Sequence, residues 1–97
     1  MARETIEVAV IGGGPAGLTA AVALAGAGVP VALIGPPPKP DHRTTALFGG
    51  SVTALETLGV WEACRLHAAP MHEMRLVDAT ARLWRAPEVR FTAREID

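Results

Sequence analysis

Val8-Ala9-Val10-Ile11-Gly12-Gly13-Gly14-Pro15-Ala16-Gly17-Leu18 is the stretch on which the fold turns. Ile6 to Ile11 is a short run rich in β-branched residues, suited to a buried parallel strand. A glycine loop follows at once, and Pro15 to about Ala27 is rich in alanine and leucine, the composition of a helix. Pro15 fits the first turn, where its missing N–H costs nothing, and Gly28 supplies the stop. Leu18, Val22 and Ala25 share one helix face, with Ala21 and Leu24 beside them. Val29 to Ile34 is a second apolar run. Two apolar runs joined by a helix in so short a span predict adjacent parallel strands with a crossover helix.

Gly12, Gly14 and Gly17 match G-x-G-x-x-G directly after a predicted strand and directly before a predicted helix. Gly12 allows the tight turn out of the strand. Gly14 lacks the Cβ that would block close approach of a pyrophosphate, and Gly17 lets the helix pack on the strand. Together with Gly13, Pro15 and Ala16 they form a candidate cradle, in which unpaired N–H groups and the positive helix end meet the phosphates. This is an α/β, Rossmann-like βαβ unit over residues 6–34, built to hold the pyrophosphate of FAD or a closely related cofactor. The pattern departs from its usual form in one place. An acidic residue for the adenosine ribose is expected at the end of the second strand, and Gly35 stands there. Losing a charged acceptor removes about 1.5–3 kcal/mol of binding unless something substitutes.

Beyond the unit, Gly35-Pro36-Pro37-Pro38-Lys39-Pro40 can continue neither strand nor helix. An arginine-bearing loop and helices are expected over residues 41–67. Thr53 and Glu56 have capping-box spacing, Ser51 is a rival N-cap, and Val52, Leu55 and Leu58 form an apolar stripe. Gly59 breaks that helix, and Val60-Trp61 begins a shorter one to about His67, with Trp61 closing the helix core. In the region 74–91, Met74–Val77 and Arg82–Trp84 read as a short hairpin around an Asp78-to-Ala81 turn, with Trp84 buried in it. Glu88 to Arg94 alternates charges and reads as a solvated strand face.

Composition narrows the possibilities. At 97 residues the chain is at most one domain, and 49% hydrophobic with 20% charged residues suits a soluble chain able to bury a core. Nine basic and ten acidic side chains give a net charge of −1, with no footprint for nucleic acid. Cys64 is the single cysteine, which excludes an intrachain disulfide, and among helix formers it reads as a buried, inert thiol. His42, His67 and His72 share no metal-ligand spacing, and Gly-x-Ser-x-Gly is absent, so neither a metal site nor a catalytic residue is assigned. No targeting or spanning segment is read, and a cytoplasmic location is expected.

Three segments taken together resemble the flavin-dependent aromatic hydroxylases, especially their ubiquinone-biosynthesis branch. They are Val8 to Leu18, then Asp41-His42-Arg43-Thr44-Thr45-Ala46-Leu47, then Leu55-Glu56-Thr57-Leu58-Gly59-Val60-Trp61. In that family an Arg-x-x-Ala-Leu element precedes a helix ending in Leu-Gly-hydrophobic-Trp, and the spacing from Arg43 to Gly59 fits. The resemblance implies that the glycine loop and Arg43 hold FAD, and that reduced flavin activates O₂ to hydroxylate a small aromatic substrate, with NAD(P)H as reductant. It also implies peripheral membrane association of the parent enzyme through a lipophilic substrate. Family members are several times longer, so the chain is expected to be an incomplete domain, the N-terminal FAD-binding portion, inactive by itself and lacking most of the substrate site. Two other readings stay open on the residues: an NAD(P)-binding dehydrogenase fragment, against which the missing acid argues, and a non-catalytic nucleotide-binding remnant.

Overall fold

Apolar runs rich in β-branched residues form the parallel strands, and glycines in the left-handed region end the two longer helices, in the computed structural model that describes residues 3–95. The chain divides into two compact units, Met1–Glu62 and Ala63–Asp97.

In the first unit, β1 (Val8–Ile11) pairs in parallel with β2 (Val31–Ile34), in the register Val8 to Val31 through Ile11 to Ile34. Helix α1 (Pro15–Gly26) connects them and packs on both strands. Both strands are shorter than expected, because Pro30 has no N–H for a ladder and its carbonyl instead takes the N–H groups of Glu7 (2.9 Å) and Val8 (3.2 Å). At the other end of α1 the Gly28 N–H donates to Ala25 (3.0 Å) and the Val29 N–H to Leu24 (3.0 Å). With Gly28 at φ +78° this is a Schellman stop.

The face that α1 turns to the sheet carries Gly17, Ala21 and Leu24, all half-buried, whereas Leu18, Val22 and Ala25 lie exposed. An almost uniformly apolar helix offers no polar face to fix its rotation, so the closest backbone approach, at Gly17, decides it. Along β1 the half-buried Val8 and Val10 alternate with exposed Ala9 and Ile11, the latter at 76%. The expected buried core is not found: among the described residues no side chain is fully buried. A two-stranded sheet with one helix covers a single face, and one layer of contacts leaves each side chain partly open.

Helix α2 (Gly49–Thr57) sets Val52, Leu55 and Leu58 on its half-buried side, as the stripe predicts. Its N-terminus differs from expectation. Phe48 is the N-cap with no side-chain cap bond, so Ser51 and Thr53 lie inside the helix, and Thr57 Oγ1 donates back to the Thr53 carbonyl at 2.9 Å. The helix, opening on Gly49 and Gly50, begins three residues earlier than a Ser51 cap and five earlier than a Thr53 cap would place it. Gly59 at φ +77° ends it with a second Schellman pair, Gly59 N–H to Glu56 and Val60 N–H to Leu55. Helix α3 (Trp61–Arg65) follows, with Trp61 half-buried and Cys64 exposed rather than buried. A five-residue helix has too little surface to cover the thiol on all sides.

In the second unit, β3 (Glu73–Leu76) pairs antiparallel with β4 (Val89–Thr92), and a single 3₁₀ turn follows at Ala93–Glu95. The hairpin is therefore present but its second strand is not Arg82–Trp84. Those residues lie in the connecting loop, with Leu83 93% and Trp84 87% exposed. Complementarity selected the later segment. Met74 meets Phe91, both half-buried, while Arg75 donates to both oxygens of Glu88 at 2.9 and 2.8 Å. Arg75 and Arg90 stand opposite each other, a repulsive pairing that Glu88 relieves by also accepting from Arg90 Nε at 2.6 Å. Asp78 organises the loop, accepting from the Thr80 and Ala86 N–H groups at 3.0 and 3.1 Å.

The Arg75 guanidinium first, and Arg90 second, hold the Glu88 carboxyl below its ordinary value. A depressed folded-state value means that the pairing contributes fully above about pH 4.3, the unfolded glutamate value, and is lost as pH falls through the folded one. The protection factors of the β3–β4 amides, measured against the intrinsic exchange rate at each pH, are therefore expected to fall in acid. Glu88→Gln should exchange faster already at neutral pH and lose that acid step; an unchanged profile in the variant would assign the step elsewhere.

Candidate functional site

The parallel register brings the ends of β1 and β2 level, and the glycine loop leaves the sheet at that point. Gly12 N–H donates to the Ile34 carbonyl at 2.7 Å, one bond beyond the strand pair, and Gly12 turns the chain at φ +114°. A Cβ added at Gly17 would overlap the Gly12 carbonyl oxygen, far inside van der Waals contact, and lie 3.0 Å from its carbon. The helix start is thus clamped against the turn through a position where only hydrogen fits.

Gly14 is a different case. It is the N-cap of α1 in an extended conformation, φ −74° and ψ 177°, which any residue adopts, and nothing lies within 4 Å of where its Cβ would be. The same open space surrounds Gly13. Neither protein packing nor, at Gly14, backbone conformation demands glycine. What remains is clearance for something held against the loop.

The electrostatics of the loop suit an anion. The N-cap makes no side-chain hydrogen bond, and no acidic residue stands in the first turn of α1. The Leu18 N–H goes to the Gly14 carbonyl at 2.9 Å, while the N–H groups of Gly13, Gly14, Ala16 and Gly17 meet no backbone carbonyl among the described residues. Pro15 at the first helical position withdraws no donor that the helix would use. An unsatisfied cluster of N–H groups at a positive helix end, with space left in front of it, fits a pyrophosphate. Gly12, Gly13, Gly14, Pro15, Ala16 and Gly17 are brought together as one cradle.

The FAD binding domain family matches residues 5–94, the cradle included. The chain belongs to that family. It is an FAD-binding domain of the flavin-dependent monooxygenase type, so the flavin reading supersedes a nicotinamide dehydrogenase fragment. No curated protein and no solved structure matches the chain.

Arg43, the other sequence-predicted site residue of this FAD-binding domain, lies in the loop between β2 and α2 and is engaged elsewhere. Its Nε donates to Asp41 Oδ1 at 3.0 Å and its NH2 to Oδ2 at 2.7 Å, while its backbone N–H reaches Oδ1 at 3.1 Å. The side chain is 83% exposed. The Arg43 guanidinium, and then its N–H, holds the Asp41 carboxyl below the usual carboxylate range. Among the described residues Arg43 is bound to Asp41 and not to the glycine loop, so a role there needs the exchange of one anion for another.

Gly35, a missing acid in the sequence, is in the structure also a point of close backbone approach. A Cβ at Gly35 would lie 3.0 Å from the Gly13 nitrogen. The signal was a lone glycine between an apolar strand and a proline run, where a close backbone approach is one standard cause. Among the described residues no helix is long and apolar enough to cross a membrane, and no group of three His, Cys, Asp or Glu side chains is gathered as for a metal.

Proposed function

We propose that this chain provides the pyrophosphate-binding part of an FAD-dependent hydroxylase of the ubiquinone-biosynthesis branch. Its substrate is a small, lipophilic aromatic, and NAD(P)H and O₂ are consumed. The reading is carried by one observation: Gly14 is a glycine that neither packing nor backbone conformation requires, at the mouth of a cradle of free N–H groups. Arg43, the Ala46-Leu47 pair and the Leu58-Gly59-Val60-Trp61 ending support the hydroxylase branch through the resemblance of their spacing.

When bound, FAD supplies the redox chemistry, and this chain supplies binding and orientation. The N–H groups of the loop and the positive end of α1 neutralise the phosphates. Arg43, permanently cationic, is suited to a phosphate oxygen, to which its planar guanidinium can donate in pairs. These residues bind and hold but do not hydroxylate; catalysis needs a dry pocket for the aromatic ring, which these residues do not build. A lipophilic substrate would bring a hydroxylase of this kind from the cytoplasm to the membrane surface.

The test is whether the purified full chain carries yellow FAD with an oxidised-flavin spectrum, and whether the spectrum responds to NAD(P)H. Retention of a nicotinamide nucleotide in place of flavin would overturn the reading. Arg43→Ala is expected to weaken FAD binding by about tenfold or more if it exchanges Asp41 for a phosphate. A dissociation constant unchanged by titration calorimetry would leave Arg43 as the solvated partner of Asp41.

A further inference from the structure

The pairing of Arg43 carries an inference that rests on the FAD-binding reading above and concerns how that cation is kept before the cofactor arrives. Between Glu7 and Glu56 the sequence holds a single carboxylate, Asp41, and between Arg3 and Arg65 a single arginine, Arg43. The structure joins these two to each other. Arg43 Nε donates to Oδ1 at 3.0 Å and NH2 to Oδ2 at 2.7 Å, so two oxygens fill the flat fork of the guanidinium. A phosphate presents two oxygens in the same manner, and the fork suits either group.

The pair is built to open. Both side chains are exposed, 83% for Arg43 and 52% for Asp41, so water competes for each and the attraction is weak. Residues 35–48 form neither helix nor strand, so no ladder or helical bond has to break when the guanidinium leaves. The Asp41 carboxylate also has a second partner that stays behind, because the Arg43 backbone N–H donates to Oδ1 at 3.1 Å. A pyrophosphate brings more negative charge than one carboxylate, and the N–H groups of the glycine loop would hold it at the same time.

We propose that Asp41 is a stand-in for the FAD pyrophosphate: it occupies the Arg43 guanidinium in the cofactor-free chain and gives it up when the cofactor binds. The carboxylate lowers cofactor affinity by as much as the surface pair is worth. In return it leaves no unpaired guanidinium open to other anions.

Asp41→Asn tests this, because Asn keeps the shape and an acceptor for the Arg43 N–H but lacks the charge. FAD dissociation constants are measured by flavin fluorescence for the full chain, for Asp41→Asn, for Arg43→Ala and for the double variant. Asp41→Asn should bind FAD about two- to fivefold more tightly than the parent, the range that an exposed ion pair allows. A carboxylate that merely repels the phosphates would yield the same gain with or without Arg43, so the Arg43→Ala background decides. The gain should be about twofold or more larger in the parent than in that background. A difference of less than about twofold between the backgrounds overturns the inference while leaving FAD binding intact. Weaker binding by Asp41→Asn overturns it as well, since Asp41 would then support Arg43 in the bound state. If the parent does not bind FAD, the functional reading fails and this inference falls with it.

Discussion

Gly17→Val is expected to unfold the dinucleotide unit. The added Cβ would overlap the Gly12 carbonyl oxygen, a backbone atom at a turn that is itself anchored to Ile34. Relief requires α1 to lift from β1 and β2, on both of which it packs. Overpacking of this kind costs about 3 kcal/mol, and with no side chain fully buried among the described residues the unit has little stability to spare. Helical signal by circular dichroism should fall at a denaturant concentration where the parent is still folded. An unchanged midpoint would mean that the helix and the turn do not approach as described.

Gly14→Val, three residues away in the same loop, should do the opposite. Its Cβ meets nothing within 4 Å, and its φ of −74° suits a branched residue, so the unfolding midpoint should stay within about 0.5 kcal/mol of the parent. FAD affinity should fall by about 100-fold or more, equivalent to about 2.7 kcal/mol, because the side chain occupies the space in front of the free N–H groups. Full FAD affinity in a folded Gly14→Val protein would remove the glycine loop from the site. The two variants together separate a glycine kept for packing from a glycine kept for a ligand.

The parallel pair, the crossover helix, its two ends and the Val52-Leu55-Leu58 stripe were legible because each rests on local chemistry. Pro15 and Gly28 mark their helix positions through φ and a missing donor, whatever surrounds them. The rotation of α1 was not legible. Its apolar residues run all the way round, and only the clash that any side chain at 17 would make with Gly12 selects the inward face. The hairpin was legible as a motif but not in its pairing. Arg82-Leu83-Trp84 has strand propensity, yet the charge partners of Arg75 and the apolar partner of Met74 lie later, at Glu88 and Phe91.

The same division holds at the site. Sequence by itself located the loop of unpaired N–H groups, because a strand, a G-x-G-x-x-G loop and an alanine-rich helix in that order dictate where N–H groups are left without acceptors. It also pointed to Gly35 as an absent acid and to Arg43 as a cation near a loop. Tertiary structure alone decided that Gly35 is a contact with Gly13, that Arg43 is held by Asp41, and that Gly14 and Gly17 serve different ends. Those outcomes depend on distances between segments far apart in sequence or folded back on each other. A chain's local preferences fix its dihedral angles, but the space around a missing Cβ exists only once the second strand is laid beside the first.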